Sequence, residues 1–305
     1  MSGLIIGVPV TIADANIEAF SVPENEYPQW DPGETYDLGE YVIVTGTDIH
    51  QIWRSVANSN TGNNPLDEVD LDNPSKWALD GATNAYKMFD QYISTLTQQA
   101  GSISFTLKGL GQVNTFGFFG LKGDTLTMTI RDEDGTFIST ETRELVSYAT
   151  FNSEYDWFFT PFLSIDFMVF KDIPPYFNAR YEITVTGAQC AIGAVVPAYG
   201  YEFNSINRNS TNTPKDYSIK TEKTPGVFEF VKGPSALESE LELTFPNQQI
   251  DLLNRLVKQQ FSLPTLVIGN DEYESFTHYG NVYECPNSLP YANEGSTRLK
   301  VESLF

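Results

Sequence analysis

Apolar side chains recur at every second residue in one short run after another, and turn-forming residues close each run within a few positions. Ser102-Ile103-Ser104-Phe105-Thr106-Leu107 alternates in this way, as does Leu126-Thr127-Met128-Thr129-Ile130. The second run meets Asp132-Glu133-Asp134-Gly135 and re-enters Thr136-Phe137-Ile138, the pattern of a hairpin with one buried face. Phe162–Phe170 and Arg180–Thr186 continue the alternation, with Pro174-Pro175 between them. Period two sends successive side chains to opposite faces of a sheet, so runs of this kind must cover one sheet with another. Residues 83–200 read as an antiparallel β-sandwich.

One segment changes period. Ile250, Leu253, Val257 and Phe261 fall at helical spacing, which predicts an amphipathic helix from Asn247, its expected N-cap, to Phe261. Strand-like Leu237–Phe245 precedes it, and Thr265–Gly269 and Thr297–Leu304 follow, so residues 227–305 read as an α+β domain with one helix. The Asn-, Ser- and Thr-rich residues 201–226 read as a linker or as an arm reaching a neighbouring subunit. Residues 1–24 read as an N-terminal strand or arm. The fold class is therefore mainly β: a small Trp-rich β module at 25–82, the sandwich, and the α+β domain.

Charge narrows the partners. Eighteen Lys and Arg against 40 Asp and Glu give a net charge of −22 in 305 residues, which opposes broad nucleic-acid or anionic-membrane binding. The start, Met1-Ser2-Gly3-Leu4-Ile5-Ile6-Gly7-Val8-Pro9, has no basic n-region, and no run approaches the roughly 20 apolar residues of a membrane span. We expect a soluble protein made in a cytoplasm. The two cysteines, Cys190 and Cys285, read as small buried hydrophobes.

Residues 30–81 hold Trp30, Tyr36-Asp37-Leu38-Gly39-Glu40-Tyr41-Val42, Ile52-Trp53-Arg54-Ser55, the polar loop 58–64, and Trp77. This pattern resembles the small chitin- and cellulose-binding modules. The resemblance implies an aromatic platform for the apolar face of a sugar ring, with Trp30, Tyr36 and Trp53 as platform residues and Asn58 and Asn60 as hydrogen-bonding neighbours. The family's extra exposed aromatic after the second strand is replaced here by Ser55-Val56-Ala57. A second reading makes Trp30, Tyr36, Trp53 and Trp77 the core of a module too small to fold without large side chains.

Asn84, Met88-Phe89-Asp90, Ser94 and Thr97 resemble the Asn-x-x-x-Met-Phe-Asp…Ser-x-x-Thr segment of a family of tailed-bacteriophage virion proteins, in which the same module fold precedes a β-sandwich. Glu240–Pro246, Val267-Ile268-Gly269-Asn270-Asp271, Tyr279-Gly280 and Ser303-Leu304-Phe305 are similar to the last domain of such tail proteins. The resemblance implies a virion component at or near the tail tip. Its partners would be other tail proteins, copies of itself and host-surface polysaccharide, with no cofactor.

Reactive motifs do not compete with that implication. His50 and His278, the two histidines, stand in unrelated contexts, and neither an H-E-x-x-H zinc site, a G-x-S-x-G elbow nor a P-loop occurs. The sequence nominates no catalytic or metal-binding residue. Asp132, Glu133 and Asp134 read as turn residues; Asp67, Glu68, Asp70 and Asp72 read as a solvated loop, with calcium binding as the weaker option. Two rival functions share these residues. One is a polysaccharide-degrading enzyme with its site in the sandwich, and the other a free glycan-binding protein, which predicts a monomer and an export signal.

Overall fold

The computed structural model describes residues 3–147, 153–160, 162–174, 176–224, 226–233, 235–270, 274–289 and 293–304. Met1, Ser2, Pro175, Asp271 and Phe305, named above, lie outside the described residues. Strands β1 (Ile5–Pro9) and β2 (Ile17–Phe20) precede the small module of β3 (Thr35–Tyr36), β4 (Tyr41–Val44), β5 (Gln51–Ser55), β6 (Asn60–Thr61) and β7 (Trp77–Ala82). There β4, β5 and β7 form one antiparallel sheet and β3 pairs with β6.

The middle of the chain supplies β8 (Thr97–Leu107), β9 (Thr115–Phe119), β10 (Thr125–Arg131), β11 (Phe137–Glu144), β12 (Val146–Ser147), helix α1 (Glu154–Phe159), β13 (Leu163–Ser164), β14 (Phe167–Phe170), β15 (Arg180–Ile192) and β16 (Ala194–Glu202). The expected hairpin is β10–β11, closed by Asp132, whose carboxylate accepts the Thr136 N–H at 2.7 Å, and by Gly135 at φ +85°. The run 162–170 is two strands rather than one: β13 pairs with β12, and β14 with β9. Between them Ile165 donates its N–H to Leu145 and Asp166 accepts that of Leu121, so the backbone turns from one partner to the other.

The last third adds β17 (Thr211–Asp216), β18 (Ile219–Thr224), β19 (Val227–Val231), β20 (Ser235–Pro246), helix α2 (Ile250–Gln260), β21 (Thr265–Ile268), β22 (Thr277–Glu284), β23 (Asn287–Ser288) and β24 (Glu294–Ser303). Five strands make one sheet, β11-β10-β15-β8-β2, and ten make a larger one, β14-β9-β16-β1-β21-β22-β24-β20-β17 with β23 beside β24. The smaller sheet offers Ile103, Phe105, Met128 and Ile183 to Phe116, Phe118, Phe170 and Val195 of the larger, which is the sandwich core.

Strand β1 is not a free arm. It lies between β16 and β21, sending Ile6, with Leu4 just before the strand, to one core and Ile5 to another. One sheet therefore runs across the boundaries drawn at 200 and 227. Residues 201–216 do not form a linker either, because their polar side chains stitch them down. Asn204 donates to the Thr244 carbonyl at 2.9 Å, Asn207 to the Thr244 hydroxyl at 3.3 Å, and Asn212 to the Ser275 carbonyl, while β17 pairs with β20.

Helix α2 continues a 3-10 turn at Asn247–Gln249, so Asn247 begins that turn instead of capping the helix. Its buried stripe is Leu253, Leu256 and Val257, packed on Leu241, Phe245, Val267 and Val301; each such side chain stabilises the fold by about 1.5–3 kcal/mol. Phe261 lies past the helix end and is exposed. In the Tyr279-Gly280 pair, a Cβ on Gly280 would come within 2.0 Å of the Glu302 carbonyl oxygen, so glycine is required where β22 meets β24.

Candidate carbohydrate-binding site

The module's sheet turns alternate residues inward. Val42 stands opposite Trp53 across β4 and β5, and Trp77 opposite Ser55 across β5 and β7. Tyr36, Val42, Val44, Trp53 and Trp77 form one buried cluster, with Tyr36 and Trp77 in edge contact at 5.2 Å and 66°. Polar tips are satisfied inside it: the Trp53 indole donates to Gln51 Oε1 at 3.1 Å and that of Trp77 to the Asn63 carbonyl at 2.8 Å. The Tyr36 hydroxyl accepts the Asp31 N–H at 2.8 Å, and burial raises its pKa.

This packing overturns the sugar platform drawn from the resemblance. Trp53 is 3% and Tyr36 5% exposed, so neither ring offers a face to a pyranose. Trp30 is half-buried against the same cluster. Asn60 is buried as well, donating to Ser55 Oγ at 3.3 Å and the Lys76 carbonyl at 3.2 Å while accepting from Asn63 at 2.7 Å. Asn58 alone of the five is exposed, and it accepts the Leu38 N–H at 3.3 Å. The physical cause is size, since a module of this length closes its core only by burying its largest side chains.

The aromatic surface lies elsewhere in the module. Tyr27 stacks on Tyr41 at 4.8 Å and 18°, Tyr27 is exposed, and exposed Arg54 is the cross-strand partner of Tyr41. Phase alone did not mark that surface: Tyr41 is out of phase with Val42 and Val44 of the cluster, but Ile43, in phase with Tyr41, is buried. In the acidic loop Asp67, Asp70 and Asp72 are exposed, as a solvated loop requires, and Glu68 alone turns inward. Glu68 accepts the N–H groups of Lys76 and Trp77 at 2.8 and 3.1 Å and the hydroxyl of Ser75, bonds that lower its pKa. That engagement corrects the calcium option. Among the described residues no group of three His, Cys, Asp or Glu side chains is placed to hold a metal ion.

Beneath the module lies a polar joint. His50, 8% exposed, meets Glu24 through Nδ1 at 2.8 Å and stacks on Tyr86 at 4.0 Å, while Tyr86 hydrogen-bonds Asp14. Glu24 also accepts from Thr83 at 2.6 Å. The motif that follows continues the joint. Asn84 exchanges two hydrogen bonds with the Gln98 backbone at 2.9 Å, Thr97 Oγ1 accepts the Met88 N–H at 3.0 Å, and Asp90 accepts from Tyr92 and Thr95. Met88 and Phe89 enter the sandwich core. Asn84 also donates its N–H to Glu26 at 2.5 Å and Thr83 donates its N–H to the His50 carbonyl at 3.0 Å, which fastens this segment to the module.

No family model, curated protein or solved structure matches this chain.

One remaining arrangement has the form of a nucleophile and its base. Ser239 Oγ lies 2.7 Å from His278 Nε2, and burial holds the His278 pKa at about 4. Ser239 is fully buried, so its hydroxyl does not meet a polymer. Cys190 is buried, as expected, and Cys285 is half-buried; both are free thiols. Among the described residues no helix is long and apolar enough to cross a membrane.

Proposed function

We propose that this chain is a non-enzymatic structural component of a bacteriophage tail, at or near its tip, made in the host cytoplasm and carried in the virion. The observation that carries the reading is the joint at residues 83–98. Within the run that resembles the virion-protein segment, Asn84 donates its N–H to Glu26 of the small module at 2.5 Å, and Met88 and Phe89 enter the sandwich core, so the run spans the junction between the two. A ten-stranded sheet shared by the N-terminal, middle and C-terminal parts suits a rigid building block, and closed assemblies of identical blocks are the usual protein architecture. Contact with host polysaccharide would fall to the stack of Tyr27 on Tyr41, because Tyr36, Trp53 and Trp77 are inside and Trp30 is half-buried against them.

Immunogold electron microscopy of purified particles, with an antibody against this chain, tests the reading. Label at the tail tip is the expected result. Particles free of label, with the protein also absent from their mass spectrum, would remove the virion role. Release of reducing sugar from host polysaccharide by the purified protein would put an enzyme in its place.

A further inference from the structure

Strands β18 and β19 form a two-stranded sheet of their own, and every described residue of both is exposed. They continue the β17–β20 pair past its last register position, Asp216 opposite Ser235, by six residues in β18, or about 20 Å. Phe228 and Phe230 lie on one face, opposite Glu222 and Lys220; Ile219 and Val231 pair on the other. An isolated hairpin of this size is marginal in water, and one with apolar residues on both faces is incomplete until something covers it.

A second surface has the complementary composition. Around α1, Tyr155, Phe158, Phe159 and Leu163 are all exposed, Phe158 by 77%, and Tyr155 and Phe159 already pair at 4.6 Å. Residues 153–166 contain Glu154, Asp156 and Asp166 and no Lys or Arg, a charge of −3. Residues 219–232 contain Lys220, Lys223 and Lys232 against Glu222 and Glu229, 3 − 2 = +1, in a protein of −22. The hairpin is thus a basic, apolar projection on an acidic body.

We propose that the β18–β19 hairpin of one copy docks on the aromatic, acidic surface around α1 of a second copy. The two surfaces differ, so two copies close reciprocally in a twofold dimer where both contacts can form at once, and otherwise the contact propagates head to tail into a ring or an open filament. Aromatic anchors at its centre and charge complementarity at its rim are what such an interface requires. This deepens the assembly reading given above, but its experiment uses the isolated protein. A monomer in solution would remove the docking and leave particle labelling to judge the virion role.

The test is the oligomeric state of the full chain by light scattering on a sizing column. Wild type is expected to exceed the 34.1 kDa monomer, and F228S/F230S and F158S/F159S are each expected to weaken association by about a hundredfold. Mixed together, the two variants should form a one-to-one dimer, since each retains the surface the other lacks. A monomeric wild type, an associating hairpin variant or a mixture that stays monomeric would each overturn the proposal. Should a variant misfold, a benzophenone side chain in place of Phe230 keeps the proposal open to refutation. Cross-links mapping to residues 155–163 of another copy support it, and cross-links elsewhere or none overturn it.

Discussion

Two aromatic-rich stretches of this chain end in opposite places. Tyr36, Trp53 and Trp77 are buried in the N-terminal module, whereas Tyr155, Phe158 and Phe159 around α1 stand in solvent. Spacing separates them. The module's rings occupy inward positions of paired strands, so one face collects them all. In α1 Trp157, Phe158 and Phe159 are consecutive, and at about 100° per residue they fan around the helix, so no single face buries them. Aromatic content therefore shows that rings need covering, and spacing shows whether their own chain can cover them.

The comparison breaks most visibly at Trp77. Trp77→Ala should destabilise the module by about 3–5 kcal/mol, read as loss of its unfolding transition in denaturant; an unchanged transition would mean the rings are not its core. A buried group in the large sheet sets the next scale. His278 titrates near 6.5 when unfolded and at about 4 when folded, so the unfolded chain binds the extra proton between those values. Stability is full above about 6.5 and falls by about 3 kcal/mol on acidification to about 4; His278→Gln should flatten that slope in pH-dependent melts.

Glu68→Gln sharpens the contrast from the polar side. It weakens the charge-assisted bonds to Lys76 and Trp77 and should cost about 1 kcal/mol, measured by the module's denaturation midpoint. The smallest effect belongs to the exposed ring: Phe158→Ser should change folding stability by no more than about 0.5 kcal/mol. A loss on the scale of Trp77→Ala would show that the α1 surface is covered within one chain, and the comparison would fail.

Strand identity was legible from alternation, and the β10–β11 hairpin, β20, β21 and the helix lie where periodicity places them. Long-range partnership was not. Nothing local in Ile5–Pro9 announces that it joins β16 to β21, because register between distant strands is set by packing and not by neighbouring residues. At the candidate site the sequence located the module but not its outside. Trp53 reads equally as platform or core until Val42 is seen opposite it, and Tyr27 meets Tyr41 only through the fold. The hairpin at 219–231 was hidden by its polar flanks, whose asparagines look like linker and act as stitching.

The position of β1 has a kinetic consequence. Ile5 pairs with Ile268, 268 − 5 = 263 residues apart, so the large sheet has a high contact order, and loop closure of that length opposes its completion. During synthesis at roughly 5–20 residues per second, Leu4, Ile5 and Ile6 emerge tens of seconds before β21 exists to receive them. Until then β1 has β16 on one side but lacks its second neighbour, and the nascent chain depends on the five-stranded sheet, whose strands all precede residue 193, to hold together.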